Sequence, residues 1–232
     1  MANFSDNLVG HWLMNDDLAT TAVLDTTGVN DGVLNVNTDT ISVAGKINKA
    51  LDFDGVDDYV NVPRNINIEP QNLTLGAWIK PSAVDGNRVI FDKPYTAMSN
   101  PYYSYELRIY NGTIHFMVVV GSYSDDDIIA GGTIVANNWY HIVATFDGTM
   151  RLYINGVLIA EKSNPGDISY FDKPLTIGNG QNYSAPFEGI IDDVRIYDTA
   201  LTPYYIKLLY NNGAGTEDEN IQSNTLLLGC NF

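Results

Sequence analysis

Residues 138 to 162, NWYHIVATFDGTMRLYINGVLIAEK, leave the chain few ways to fold. Apolar and polar residues alternate on either side of two dipeptides, Asp147-Gly148 and Asn155-Gly156. Alternation at period two puts every second side chain on one face of a strand. Asp-Gly and Asn-Gly tolerate the positive φ that two-residue hairpin turns demand. The stretch reads as a three-stranded antiparallel meander. By the same logic YELRIYNGTIHFMVVV, turning at Asn111-Gly112, is a hairpin. ALDFDGVDDYVNVP, 50 to 63, reads as strand, Asp-Gly turn and strand.

The remaining segments extend this pattern. NLVGHWLM, 7 to 14, is a first strand with Leu8, Trp12 and Met14 on one face and His11 on the other. NLTLGAWIKP (72 to 81), NRVIFDK (87 to 93), PLTIG (174 to 178) and GIIDDVRIYDTAL (189 to 201) are further strands. TPYYIKLLYNNG, 202 to 213, is the convincing helix, with Thr202 as N-cap, Pro203 at its first position and Gly213 past its end. About a dozen short strands and so little helix predict an all-β fold. The expected architecture is a two-sheet antiparallel jelly-roll sandwich with one short C-terminal helix. The domain is expected over residues 1–213. An acidic linker and a short apolar tail, TLLLGCNF, fill 214–232; that tail is expected to pack on the domain or on a neighbouring subunit.

Composition narrows the partners. A net charge of −16 argues against nucleic acid and against anionic membrane. No apolar run is long enough to span a bilayer, and residues 1–20 lack the apolar core of a signal peptide. The single cysteine, Cys230, excludes an intrachain disulfide. Of 28 acidic residues, 22 are Asp and 6 are Glu, a bias that suits turns and oxygen-rich cation sites.

Two stretches stand out as chemistry. At period two, Ile190, Asp192, Val194 and Ile196 share one face of the closing strand, so Asp192 is expected to point into the core. A carboxylate there must meet backbone N–H groups, a lysine or a bound cation. Asp193 has Arg195 two residues along its own face. The loop 15 to 34 is dense in Asp, Asn, Thr and Gly; Asp25, Asn30 and Asp31 can present oxygens in one tight turn, or form an Asx-rich turn with no ion. Tyrosine-rich loops supply a second kind of surface: Tyr95, Asn100, Tyr103, Tyr123, Gln181, Asn182 and Tyr183 combine aromatic faces with hydrogen-bonding groups, as sugar recognition requires.

In order, LVGHWLM, DTTGVNDGVL, ALDFDGVDDYVNVP, LTLGAWIKP, the 138–162 meander, PLTIG, GIIDDVRIYDTAL and TPYYIKLLY resemble the laminin-G-like, concanavalin A-like jelly-roll family, from about residue 7 to 213. The resemblance implies two curved sheets packed face to face. It also implies a structural Ca2+ whose ligands, carried over, are Asp25, Asn30 and Asp192, with Asp31 beside them. Related glucanases carry their carboxylates as E-x-D-x-x-E on one strand; none of the six glutamates here has that spacing. The chain is therefore expected to be non-enzymatic: an extracellular recognition or adhesion module binding a glycan or cell-surface polysaccharide, stabilised by calcium. The alternative is a virion protein, a phage head decoration or tail-fibre component, that meets other virion or surface proteins through its tail.

Overall fold

The computed structural model describes residues 4–94, 103–121, 127–180 and 184–218. Its strands begin with β1 (Leu8–Trp12), β2 (Ala22–Val23), β3 (Gly32–Leu34), β4 (Ser42–Ala44), β5 (Lys49–Asp54), β6 (Val60–Val62), β7 (Leu73–Pro81) and β8 (Asn87–Pro94). They continue with β9 (Tyr103–Tyr110), β10 (Thr113–Val118), β11 (Ile128–Gly131), β12 (Tyr140–Phe146), β13 (Thr149–Ile154), β14 (Val157–Ser163), β15 (Leu175–Ile177) and β16 (Glu188–Tyr197). A single helical turn, α1 (Thr38–Ile41), precedes β4, and α2 (Pro203–Tyr210) follows β16.

The first sheet runs β14-β13-β12-β7-β16-β5-β4, with β1 also paired to β16. The second runs β11-β10-β9-β8-β15-β6-β3-β2. All pairings are antiparallel. The inner faces meet in one core, where Leu75 and Ile79 of β7, Ile142 of β12 and Leu152 of β13 join Phe91 of β8, Leu107 of β9, Phe116 of β10 and Ile177 of β15. Each such buried side chain contributes about 1.5–3 kcal/mol of transfer free energy.

The meander and the 111–112 hairpin form as the dipeptides predict. Asn111 and Gly112 have φ of 47° and 76°, and Asn155 and Gly156 have 53° and 75°. Helix α2 starts on Pro203, whose fixed φ suits a first helical position, while the Thr202 side chain makes no cap bond. It stops at Asn211, which takes the left-handed conformation one turn's end earlier than Gly213. Its buried side chains, Ile206, Leu208 and Leu209, cover part of the first sheet's outer face with Val143, Tyr153 and Tyr197. No helix among the described residues is long and apolar enough to cross a membrane.

Two strand readings are corrected. Residues 50–63 are not a hairpin: β5 pairs with β16 and β4 in the first sheet, while β6 pairs with β15 and β3 in the second. The Asp54-Gly55 segment carries the chain between sheets, because the Asp54 carboxylate gathers the N–H groups of Val56 (2.8 Å) and Asp57 (3.2 Å) instead of letting the strands pair. In β16, Asp193 has φ of 48° and the register with β7 slips between Asp192 and Arg195. This bulge shifts the alternation by one residue. Ile191, Val194 and Ile196 face the core; Asp192 pairs in register with Trp78 on the outer face.

Candidate functional site

The outer face of the second sheet holds a pocket of about 250 Å³ lined by Tyr59, Asn61, Thr176, Asn179 and Gly180. Local structure explains each position. Val60 and Val62 turn into the core, which leaves Asn61 outward; Leu175 and Ile177 do the same for Thr176, its register partner across the β6–β15 pair. Gly178 turns the chain out of β15 with φ of 89°, and a Cβ there would lie 2.5 Å from the Phe53 ring. Asn179 then accepts the Ala185 N–H through Oδ1 (3.0 Å), and its carbonyl accepts the Thr176 hydroxyl (2.7 Å). On the far side, Asn35 steadies Tyr59: its Oδ1 accepts the Tyr59 N–H (3.2 Å) and its Nδ2 donates to the Asp57 carbonyl (3.0 Å).

That scaffolding leaves the Tyr59 hydroxyl and the Asn61 amide without a protein partner among the described residues, on the wall of a pocket whose described lining carries no charge. Aromatic face, amide and hydroxyl together suit a neutral polyhydroxylated ligand. Of the residues expected to bind sugar, Tyr103 opens β9 opposite Pro94. Tyr95, Asn100, Tyr123, Gln181, Asn182 and Tyr183 lie outside the described residues; Gln181 follows the pocket residue Gly180 in the chain.

The four expected calcium ligands fall into two places. Asp25 is the hub of its loop. Its Oδ1 accepts from the N–H groups of His11 (2.8 Å) and Thr27 (3.1 Å), and its Oδ2 from the N–H of Asn30 (2.9 Å) and the Thr27 hydroxyl. Asp31 Oδ1 accepts the Asp25 N–H (2.9 Å), Asn30 Nδ2 donates to the Val9 carbonyl (2.7 Å), and the Asn30 carbonyl accepts Trp12 Nε1 (2.9 Å). Asp192 instead meets the turn before β5, its Oδ2 accepting from the N–H groups of Lys46 (2.7 Å) and Ile47 (2.9 Å). Burial, together with Asp193 and Glu217 nearby, pushes its carboxyl up to about 7 against those two N–H bonds.

Asp25, Asp31 and Asp192 do not converge on one point. Among the described residues, Asp54, Asp57 and Asp58 form the one acidic group whose ligand atoms lie within 4.8 Å of each other. N–H donors therefore occupy much of the oxygen that a shared calcium cage would need. Among the expected ligand atoms, Asn30 Oδ1 and Asp192 Oδ1 are buried without a donor, one in each place, and these are hard ligands of the kind calcium takes.

Comparison with known proteins fits this frame. Residues 54–207 match a laminin-G-type family model described as the Concanavalin A-like lectin/glucanases superfamily. The chain belongs to this superfamily. A curated relative, Adhesion G-protein coupled receptor V1 of Danio rerio, is 28% identical over 158 residues; the match spans 65% of this chain and 2% of the receptor. Domain 4 of AbnA, an extracellular arabinanase of Geobacillus stearothermophilus solved with arabinotriose, superposes with a TM-score of 0.64 at 23% identity, covering 87% of this chain and 97% of that domain. The receptor binding domain of the botulinum neurotoxin C/D mosaic serotype gives 0.67 at 18% identity, over 89% of this chain and 51% of the toxin domain. A Trypanosoma rangeli sialidase gives 0.66 at 17% identity, over 91% of this chain and 34% of that enzyme.

Within a superfamily that includes glucanases, carboxylate pairs need inspection. Register does bring two acids together that their spacing in the chain concealed: Asp92 of β8 stands opposite Glu106 of β9. Both are fully buried, and Arg108 Nη1 lies 3.1 Å from Glu106 Oε1. Neither carboxylate lines either of the two pockets described among these residues. The buried His11–Asp193 contact (2.8 Å) resembles half of a catalytic triad, but its histidine is also inaccessible, and Arg195 Nε donates to the same carboxylate oxygen (2.9 Å). That network joins β1 to β16.

Proposed function

We propose that this protein is a non-catalytic carbohydrate-recognition module that works outside the cell, with its sugar seat in the pocket of Tyr59, Asn61, Thr176, Asn179 and Gly180. One observation carries the reading: a pocket whose described lining is uncharged presents an unpartnered amide beside the ring and hydroxyl of a tyrosine, on an acidic protein. Hydrogen-bonding groups left unpaired at a protein surface are satisfied by water, and sugar hydroxyls replace that water without charge. Supporting it, a domain of the same fold and nearly the same extent was solved with arabinotriose bound. No described lining residue of this pocket is a carboxylate, which favours binding over hydrolysis there.

Calcium belongs to the proposal as a stabilising ion at Asp192 Oδ1, a buried acceptor without a donor. An ion that binds only the folded state adds stability by mass action. A glycan-array screen of the purified protein and of Asn61→Ala, each in calcium and in EDTA, tests both parts. The expected result is a defined set of neutral glycans lost in the variant. An array blank for the parent protein in calcium contradicts the carbohydrate reading.

A further inference from the structure

A second pocket, of about 290 Å³, lies on the outer face of the opposite sheet, where β13 and β14 meet the segment leading into α2. Its polar wall is one guanidinium held between two carboxylates. Arg151 Nη1 donates to Asp147 Oδ1 (2.8 Å), and Arg151 Nε donates to Glu161 Oε2 (3.2 Å). The cross-strand register of Arg151 with Glu161 and the turn position of Asp147 fix this fork. Its apolar wall is Leu158, Leu201 and Pro203. Leu158 is 46% exposed, and its neighbours on β14, Val157 and Ile159, are exposed aliphatic residues as well.

The inventory of unused atoms defines what fits. Among the described residues, Arg151 Nη2, Asp147 Oδ2 and Glu161 Oε1 have no hydrogen-bond partner, giving one two-proton donor flanked by two acceptors. A simple anion would meet two carboxylates. A metal ion would meet the guanidinium that already occupies the space between them. A neutral group that donates and accepts at once matches all three atoms, and vicinal hydroxyls do this: each gives its proton to a carboxylate while its oxygen takes one from the guanidinium. The half-exposed ion pairs contribute little to stability. Leu158 and Pro203 offer an apolar surface for the C–H face of a sugar ring.

We infer that this pocket is a second binding site, for the vicinal diol of a neutral saccharide, on the face opposite the first. The inference stands on a different set of residues from the proposed seat at Asn61, so each can fail alone.

The test is a backbone-amide NMR titration of the protein with glucose, galactose, mannose and arabinose in turn, with sodium phosphate and ammonium chloride as charged controls. Resonances of Leu158, Ala200, Leu201 and the Arg151 side-chain Nε–H report on this pocket; those of Asn61, Thr176 and Gly180 report on the other. At least one neutral sugar is expected to move the first group in a saturable way. Arg151→Gln and, separately, Glu161→Gln should weaken that response about tenfold, as loss of a charge-assisted hydrogen bond does. Glu161 is exposed and Arg151 partly buried, and an unchanged melting temperature shows that both variants fold. The inference is overturned if no sugar moves these resonances, if either charged control moves them as strongly as the best sugar, or if both variants respond like the parent.

Discussion

Glu69 shows how this protein keeps a buried charge. It is 6% exposed, and it sits 2.8 Å from both Lys93 Nζ and Arg64 Nε. Burial alone would raise its carboxyl, but the hydrogen bonds from Arg64 and Lys93 outweigh that and hold it below the ordinary carboxylate value. A carboxyl lowered in the folded state stabilises the fold above its unfolded pKa, about 4.3, and that stability is lost as pH falls through the folded value. Glu69→Gln leaves the buried Lys93 ammonium without its carboxylate, and is expected to cost about 3–5 kcal/mol at neutral pH. Urea midpoints at pH 7 and pH 3 check this: the variant should start lower and lose less on acidification. Equal slopes against pH would remove Glu69 from the account. Asp192 makes a second test at this scale. If calcium rests there, EDTA lowers the melting temperature of the parent by several degrees, about 2–4 °C per kcal/mol for a chain of this size, and Asp192→Ala melts alike with and without EDTA. A parent melt indifferent to EDTA excludes the ion.

Among the elements, β16 organises the first sheet. It pairs with β7, β5 and β1, and its bulge lets Asp192 and Asp193 both leave the core while Ile191 and Val194 stay in it. Period-two reading assumes one residue per step, so an inserted residue was invisible to it; an Asp-Asp pair inside an apolar strand was the available signal, since Asp tolerates the left-handed backbone that a bulge uses. The pairing of Asp193 with Arg195 was legible because it spans two residues, whereas His11, the third member, comes from the other end of the chain. Asp193→Asn keeps the shape and the bulge but leaves Arg195 buried against a neutral amide. It is expected to destabilise the protein by about 3–5 kcal/mol, read as a lower urea midpoint with an unchanged slope. A midpoint within error of the parent would mean that this network is not what secures β1 to β16.

At the scale of the whole molecule, the sandwich was legible because alternation and Asn-Gly turns are local, and sheet membership was not. Nothing within residues 50–63 shows that Asp54-Gly55 crosses between sheets, since the same dipeptide closes hairpins elsewhere. The candidate sugar seat is hidden for the same reason. Tyr59 and Asn61 meet Thr176 and Asn179 across more than a hundred residues of chain, through a β6–β15 pairing that no short motif announces. What the sequence did hold was the polar residue between Val60 and Val62, and the Asn-Gly-Gln-Asn-Tyr run after β15. In the proposed reading, two sheets whose outer faces carry an uncharged and a fork-lined pocket, on a body of net charge −16, meet neutral glycans and repel polyanions. The most direct test is isothermal titration of the protein with arabinotriose and a panel of other neutral oligosaccharides, beside the Asn61→Ala variant. The expected result is saturable binding of at least one sugar, of millimolar Kd or tighter, weakened about tenfold in Asn61→Ala with no change in melting temperature. Undiminished affinity in that variant, or heat from none of the sugars, would contradict the central claim.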